Sequence, residues 1–184
     1  DLPADPLVLL REPLQGPDAA AEALSVGELD FVLGSLHNVA GRPDFFYIRY
    51  GAGGDAPETL LGTYFAELLE MARTVDFDSL AHLTYPLRYM VGEHGLKIDL
   101  AAFSEVIDGI LKTLAERGKA LEINVSGLRG KYGTAMPDEP IVRRFRELGG
   151  EYVTVGSDAH RVEHIGAHIR DGVGIAAAAA IPTP

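Results

Sequence analysis

His37, His82, Glu122, Asn124, Asp158 and His160 are the side chains whose type and placement are suited to chemistry. Each lies in, or just past the end of, a short β-type run: His37 after Asp30–Ser35, His82 after Asp78–Ala81, Glu122 and Asn124 within Ala120–Val125, and Asp158 and His160 after Tyr152–Val155. Imidazole nitrogens and carboxylate oxygens are suitable ligands for zinc, manganese or iron. In Asp158-Ala159-His160 the two ligand-type residues are two positions apart, so an extended backbone turns both to one side. A D-x-H triplet alone is a weak signal. A lone histidine is more often an ordinary surface or partly buried residue, which is how His94, His164 and His168 read. The convergence of four run ends on similar chemistry is what makes His37 and His82 candidates.

The elements that must position these residues alternate between two periods. Residues 57–74 carry Leu60, Leu61, Tyr64, Phe65, Leu68 and Leu69 at helical spacing. The strongest helical pattern runs from Asp99 to Arg117, with Leu100, Phe103, Val106, Ile107, Ile110, Leu111 and Leu114 on one face and Gly118 as its stop. Asp138 stands where a helix cap belongs, with Pro140 in the first turn and Gly149-Gly150 closing that helix after Leu148. The run Ala176–Ala180, followed by Pro182 and Pro184, reads as a frayed tail, with 174–184 expected to be disordered. Strand alternating with helix implies an α/β fold, a parallel sheet with helices outside it, either a barrel or a doubly wound sheet. In a barrel the carboxyl ends of the strands meet at one mouth, where active sites are built.

Composition narrows the function. At 184 residues and 47% hydrophobic content the chain fits one domain with a substantial core. A formal charge of −11 argues against a general nucleic-acid groove, and a phosphorylated substrate needs metal ions or local arginines to reverse that field. With no cysteine there is no disulfide, thiolate zinc site or cysteine nucleophile. No apolar run approaches the roughly 20 residues that span a bilayer, and the first residues do not read as a secretory signal, so a cytoplasmic location is expected.

Four blocks carry a family resemblance. Asp30-Phe31-Val32-Leu33-Gly34-Ser35-Leu36-His37-Asn38, His82-Leu83-Thr84-Tyr85-Pro86-Leu87-Arg88-Tyr89, Leu121-Glu122-Ile123-Asn124-Val125-Ser126-Gly127-Leu128-Arg129 and Gly156-Ser157-Asp158-Ala159-His160 resemble motifs of the polymerase-and-histidinol-phosphatase (PHP) type histidinol-phosphatases. They occur in the family's order over about residues 28 to 170, within a single, partial domain spanning 1–184. The resemblance implies a distorted seven-stranded β/α barrel, incomplete at its N-terminus, around two or three divalent metal ions (zinc, manganese or iron). It implies that His37 and His82 ligate one metal, Asp158 another and His160 a third, and that Arg88 and Arg129 grip the substrate phosphate. A bidentate guanidinium suits that task. The activity it implies is hydrolysis of L-histidinol phosphate in histidine biosynthesis, with Asp158 or His160 aiding proton transfer. Glu122 and Asn124 either line the site or orient the strand and its loops, Asn124 being expected to face the substrate or stand behind the ligands.

The chain also departs from the family pattern. The family's opening H-x-H strand has no counterpart, since no histidine precedes His37. Leu7–Leu10 is a candidate strand that makes Glu12 the candidate bridging carboxylate, and Arg49 stands where an acidic residue is expected. The expectation is therefore a piece of a longer enzyme. The alternatives are a relative acting on another small phosphate and a catalytically dead metal-binding or interaction module.

Overall fold

The computed structural model describes Ser25, residues 29–50, Gly54 and residues 56–181. Four strands, β1 (Leu33–Gly34), β2 (Ser79–Leu80), β3 (Ala120–Asn124) and β4 (Val153–Gly156), form one sheet in the order of the sequence. Every neighbouring pair is parallel, with Leu33 opposite Ser79, Leu80 opposite Leu121 and Asn124 opposite Gly156. All carboxyl ends therefore face one way. The expected α/β architecture with a parallel sheet is present, as four strands among the described residues. β1 is shorter than its sequence pattern suggested, pairing only at Leu33 and Gly34. β3 is buried at all five positions, as befits a strand covered on both faces.

The helices are α1 (Pro57–Thr74), α2 (Ser104–Glu116), α3 (Glu139–Glu147) and α4 (Ile169–Ala178). α1 begins with Pro57 in its first turn, where its missing N–H costs nothing, and buries Leu60, Leu61, Tyr64, Phe65, Leu68, Met71 and Ala72. The stretch from Asp99 is not one helix. The Asp99 carboxylate accepts the N–H of Ala101 and starts a 3-10 turn, Leu100–Phe103, before α2 begins at Ser104. α1 packs on α2, α2 on α3 and α3 on α4, while α2, α3 and α4 also reach β3. Arg117, just past α2, donates to the carbonyls of Ala72 and Val75 at the end of α1. It thereby pairs groups that a helix terminus leaves unsatisfied.

The tail expectation is corrected. Residues 169–178 form α4, and Ala176, Ala179 and Ile181 are buried in the core, so an order that composition hid is set by packing. Residues 182–184 lie outside the described residues.

One interhelical ion pair yields a pH prediction. The Arg144 guanidinium donates to both Asp108 oxygens, at 2.9 and 2.7 Å, joining α3 to α2. That hydrogen bonding holds the Asp108 carboxyl below its ordinary value. A carboxylate depressed in the folded state adds stability above its unfolded value and loses it as pH falls through its folded one. Because the pair is largely exposed, Asp108→Asn is expected to lower Tm at pH 7 by only about 1–2 °C. The difference should vanish near pH 2, as followed by circular dichroism melts. An unchanged difference at both pH values would rule out the ionic contribution.

Candidate functional site

The carboxyl ends of the four strands open into one cavity of about 1000 Å³. Its walls include His37, His82, Arg88, Glu122, Asn124, Arg129, Asp158 and His160, eight of the nine site residues expected from sequence. The ninth, Glu12, lies outside the described residues.

His37 and His82 follow β1 and β2, and the parallel pairing of those strands brings their rings to 4.8 Å between centroids. Tyr85, from the helical turn Tyr85–Leu87, packs against both, edge-on to His37 at 4.9 Å and tilted over His82 at 4.8 Å. His82 is 5% exposed, and its Nδ1 is buried without a hydrogen-bond partner among the described residues. Its backbone is held at φ +28°, a conformation rare outside glycine. Burial, with the neighbouring His37 ring adding to it, pushes the imidazole well below its ordinary value and keeps it neutral. A neutral ring with an unpartnered buried nitrogen has a lone pair to offer a cation.

Glu122 explains the posture of His82. Its carboxylate, 5% exposed, accepts the His82 backbone N–H at 2.8 Å and the Asn124 side-chain amide at 3.2 Å. Burial raises Glu122 to about 7, opposed by those two donors. The Asn124 oxygen accepts the Ser126 N–H at 3.0 Å, so the amide ties β3 to the following 3-10 turn, Val125–Arg129. Of the two readings open for these residues, the hydrogen bonds give both a task in orienting backbone.

The cavity also holds a charged group. Arg88 opens a π-helical turn, Arg88–Glu93, and its Nη1 donates to Ser126 Oγ at 3.1 Å, 3.9 Å from Asp158 Oδ2. Ser126 Oγ donates in turn to Asp158 Oδ2 at 3.2 Å. Arg129 donates to the backbone carbonyls of Ser157 at 2.6 Å and Asp158 at 3.1 Å. Partial burial lowers its guanidinium from the ordinary value, against the pull of Asp158. Asp158 is itself in the left-handed region, at φ +46°. His160 is exposed, with Nδ1 3.1 Å from the Asp158 carbonyl and 3.6 Å from Oδ1.

Several residues of the cavity were not singled out from sequence. Asp44 caps the 3-10 turn Phe45–Tyr47 through the Phe46 N–H, and both its oxygens accept the Tyr85 hydroxyl, at 3.1 and 3.0 Å. Tyr85 and Tyr89 share a hydroxyl contact of 3.1 Å. Arg42, Arg161 and His164 also line the cavity, His164 having read as an ordinary surface residue. The tyrosines fall inside a recognisable motif, whereas nothing local marks Asp44 or His164.

The metal question rests on the donor set. His37 and His82 fit a divalent cation as a pair, by chemistry and by the orphaned Nδ1. Among the described residues no group of three or more histidines and carboxylates is assembled closely enough to hold one. The described residues therefore supply part of a ligand set. Among them, no helix is long and apolar enough to cross a membrane.

Known proteins resemble the chain in sequence and in fold. The PHP domain model matches residues 18–126. A protein of Thermotoga maritima named "Probable histidinol-phosphatase" is 43% identical over 154 residues, covering 84% of this chain and 58% of that protein. A protein of the same name from Clostridium acetobutylicum is 33% identical over 150 residues, covering 81% of this chain and 57% of its own length. The chain thus spans less than two thirds of the curated relatives it matches. The crystal structure of histidinol phosphate phosphatase from Lactococcus lactis, complexed with zinc, L-histidinol and phosphate, superposes with a TM-score of 0.71 at 21% identity. It covers 93% of this chain and 64% of that one, a likeness of fold.

Proposed function

We propose, because the chain belongs to the PHP domain family, that its cavity hydrolyses a phosphomonoester, L-histidinol phosphate, to L-histidinol and phosphate as a cytoplasmic step of histidine biosynthesis. The observation that carries this reading is one cavity joining the His37–His82 pair, with its orphaned nitrogen, to Arg88 and Arg129. Relatives named histidinol-phosphatase supply the substrate. The four strands are read as part of a distorted seven-stranded β/α barrel, one PHP domain that includes residues 1–184.

His37 and His82 would hold one divalent ion, zinc, manganese or iron, with Asp158 and His160 as ligands of a second or third and Glu12 as a further carboxylate ligand. When bound, such ions supply positive charge to the phosphoryl oxygens and acidify a water molecule. The residues of the chain do the rest. Arg88 and Arg129 orient the phosphate and stabilise charge developing on it. Arg129 does so while holding the Ser157 and Asp158 carbonyls, which sets where Asp158 stands. Asp158 or His160 would pass a proton to the leaving alkoxide, a role supported by their shared place in the cavity wall. Glu122 and Asn124 keep His82 and the Ser126 turn in place.

Phosphate release from L-histidinol phosphate, with manganese or zinc, tests the reading on this chain and on a form extended to the length of its relatives. Arg88→Ala is expected to lower kcat/KM about a hundredfold, the scale for losing one charge-stabilising donor. No release from either folded, metal-loaded form would sink the assignment. The incomplete ligand set among the described residues favours one second reading, a metal-binding module without turnover. That reading predicts bound metal and phosphate without release.

A further inference from the structure

We propose that Ser126 is a positioning residue that keeps Arg88 and Asp158 apart and aimed into the cavity; the inference rests on the phosphatase reading of the same site. Ser126 is fully buried, at 0% exposure, in the turn directly after β3. Its Oγ accepts from Arg88 Nη1 at 3.1 Å and donates to Asp158 Oδ2 at 3.2 Å. A hydroxyl has one proton to give, and here it goes to the carboxylate, while a lone pair takes the guanidinium. The hydroxyl thus bridges two opposite charges that stand 3.9 Å apart, an ion pair too long for a direct hydrogen bond.

Removing it changes what those charges do. With nothing between them, their attraction draws Arg88 and Asp158 into a direct charge-assisted pair. Such a pair commits the face of the guanidinium that the phosphate needs and turns the carboxylate away from the cavity. The serine instead engages a single amino group of the five-donor guanidinium.

Ser126 is itself held from behind. Its N–H is donated to Asn124 Oδ1 at 3.0 Å, and Asn124 is anchored on Glu122 at 3.2 Å. The same five-residue turn ends in Arg129, which grips the Asp158 carbonyl at 3.1 Å. Asp158, at φ +46°, is therefore fixed by its side chain through Ser126 and by its backbone through Arg129. A strained residue persists where the surroundings over-determine it in this way. The bland alternative is a buried serine that only satisfies a turn, and it predicts a loss of stability with no preference for Arg88.

A double-mutant cycle separates the two in the metal-loaded protein, using Ser126→Ala, Arg88→Ala and the pair. KM and kcat for L-histidinol phosphate, affinity for inorganic phosphate by calorimetry, and Tm are measured for each. Ser126→Ala is expected to raise KM and weaken phosphate binding about tenfold, the scale of one lost bond to a charged group, with a smaller change in kcat. In the Arg88→Ala background the same replacement should change phosphate affinity less than about twofold, because Ser126 acts through that arginine. Equal losses in both backgrounds, or a lowered Tm with unchanged phosphate affinity, would overturn the proposal. Ser126→Cys, similar in size but a poor hydrogen-bond partner, provides the same cycle if the alanine variant does not fold. Should the wild type bind phosphate yet release none from L-histidinol phosphate, the functional reading falls, and the phosphate cycle alone still decides the role of Ser126.

Discussion

Replacing His82 with alanine is expected to lower bound metal below one tenth of the wild-type content and to reduce phosphate release more than about a hundredfold, the loss scaled from that of even an outer partner of a metal ligand. The same change is expected to move the Tm of the metal-free chain by no more than about 3 °C. These two outcomes belong together. Among the described residues His82 Nδ1 is buried without a partner, and leaving it unpaired costs about 1–3 kcal/mol. Its truncation also leaves a void in a residue that is 5% exposed, which costs a similar amount with opposite sign. A histidine that is merely part of the core gives the reverse pattern, a large fall in Tm with metal and turnover kept. Metal content by atomic emission, phosphate release and a melt of the chelated protein decide it. Retained metal together with activity above one tenth of wild type would remove His82 from the ligand set.

Much of this arrangement is readable in the sequence, for physical reasons. α1 was legible to its ends because a proline opens it and one apolar face runs through it without interruption. The four strand ends were legible because each delivers a polar residue just where a parallel sheet collects them. α4 was not. The run Ala176–Ala180 reads as low complexity, yet the helix it closes packs on the sheet: a Cβ at Gly172 would lie 2.4 Å from Val155 Cγ1, so a small residue there lets the helix approach. Ser126 was missed for a different reason. Its partners lie 38 residues before it and 32 after it, so no local pattern could announce the bond. The family resemblance implies a phosphate grip for Arg129, whereas its bonds to the Ser157 and Asp158 carbonyls depend on a loop conformation that periodicity does not encode. Residue type and strand register thus identify which groups meet. Which of them face a ligand and which brace a neighbour is set by contacts between distant segments.

Gly156 is where bracing and chemistry cannot be separated, and Gly156→Ala is expected to damage both. A Cβ there would sit 2.1 Å from Glu122 Oε1 and 3.1 Å from its Cδ, so the carboxylate must move. A carboxylate at the tip of a flexible side chain can ordinarily retreat at little cost. Here it is 5% exposed and its other oxygen receives the His82 N–H at 2.8 Å and the Asn124 amide at 3.2 Å. Retreat strips two buried donors of their acceptor, one of them the backbone of a residue already at φ +28°. Overpacking and a lost bond to a buried N–H together cost about 2–4 kcal/mol. In a chain of this length that is a fall in Tm of roughly 5–12 °C. Because His82 is displaced with its acceptor, phosphate release should fall by more than the loss of folded protein accounts for. A second substitution isolates the cause. If the clash is with Glu122, then Glu122→Ala opens the space, and the double variant should be no less stable than Glu122→Ala alone. Costs that simply add, or a Gly156→Ala protein that melts with the wild type, would show that the carboxylate is free to move and that Glu122 does not hold His82 in place.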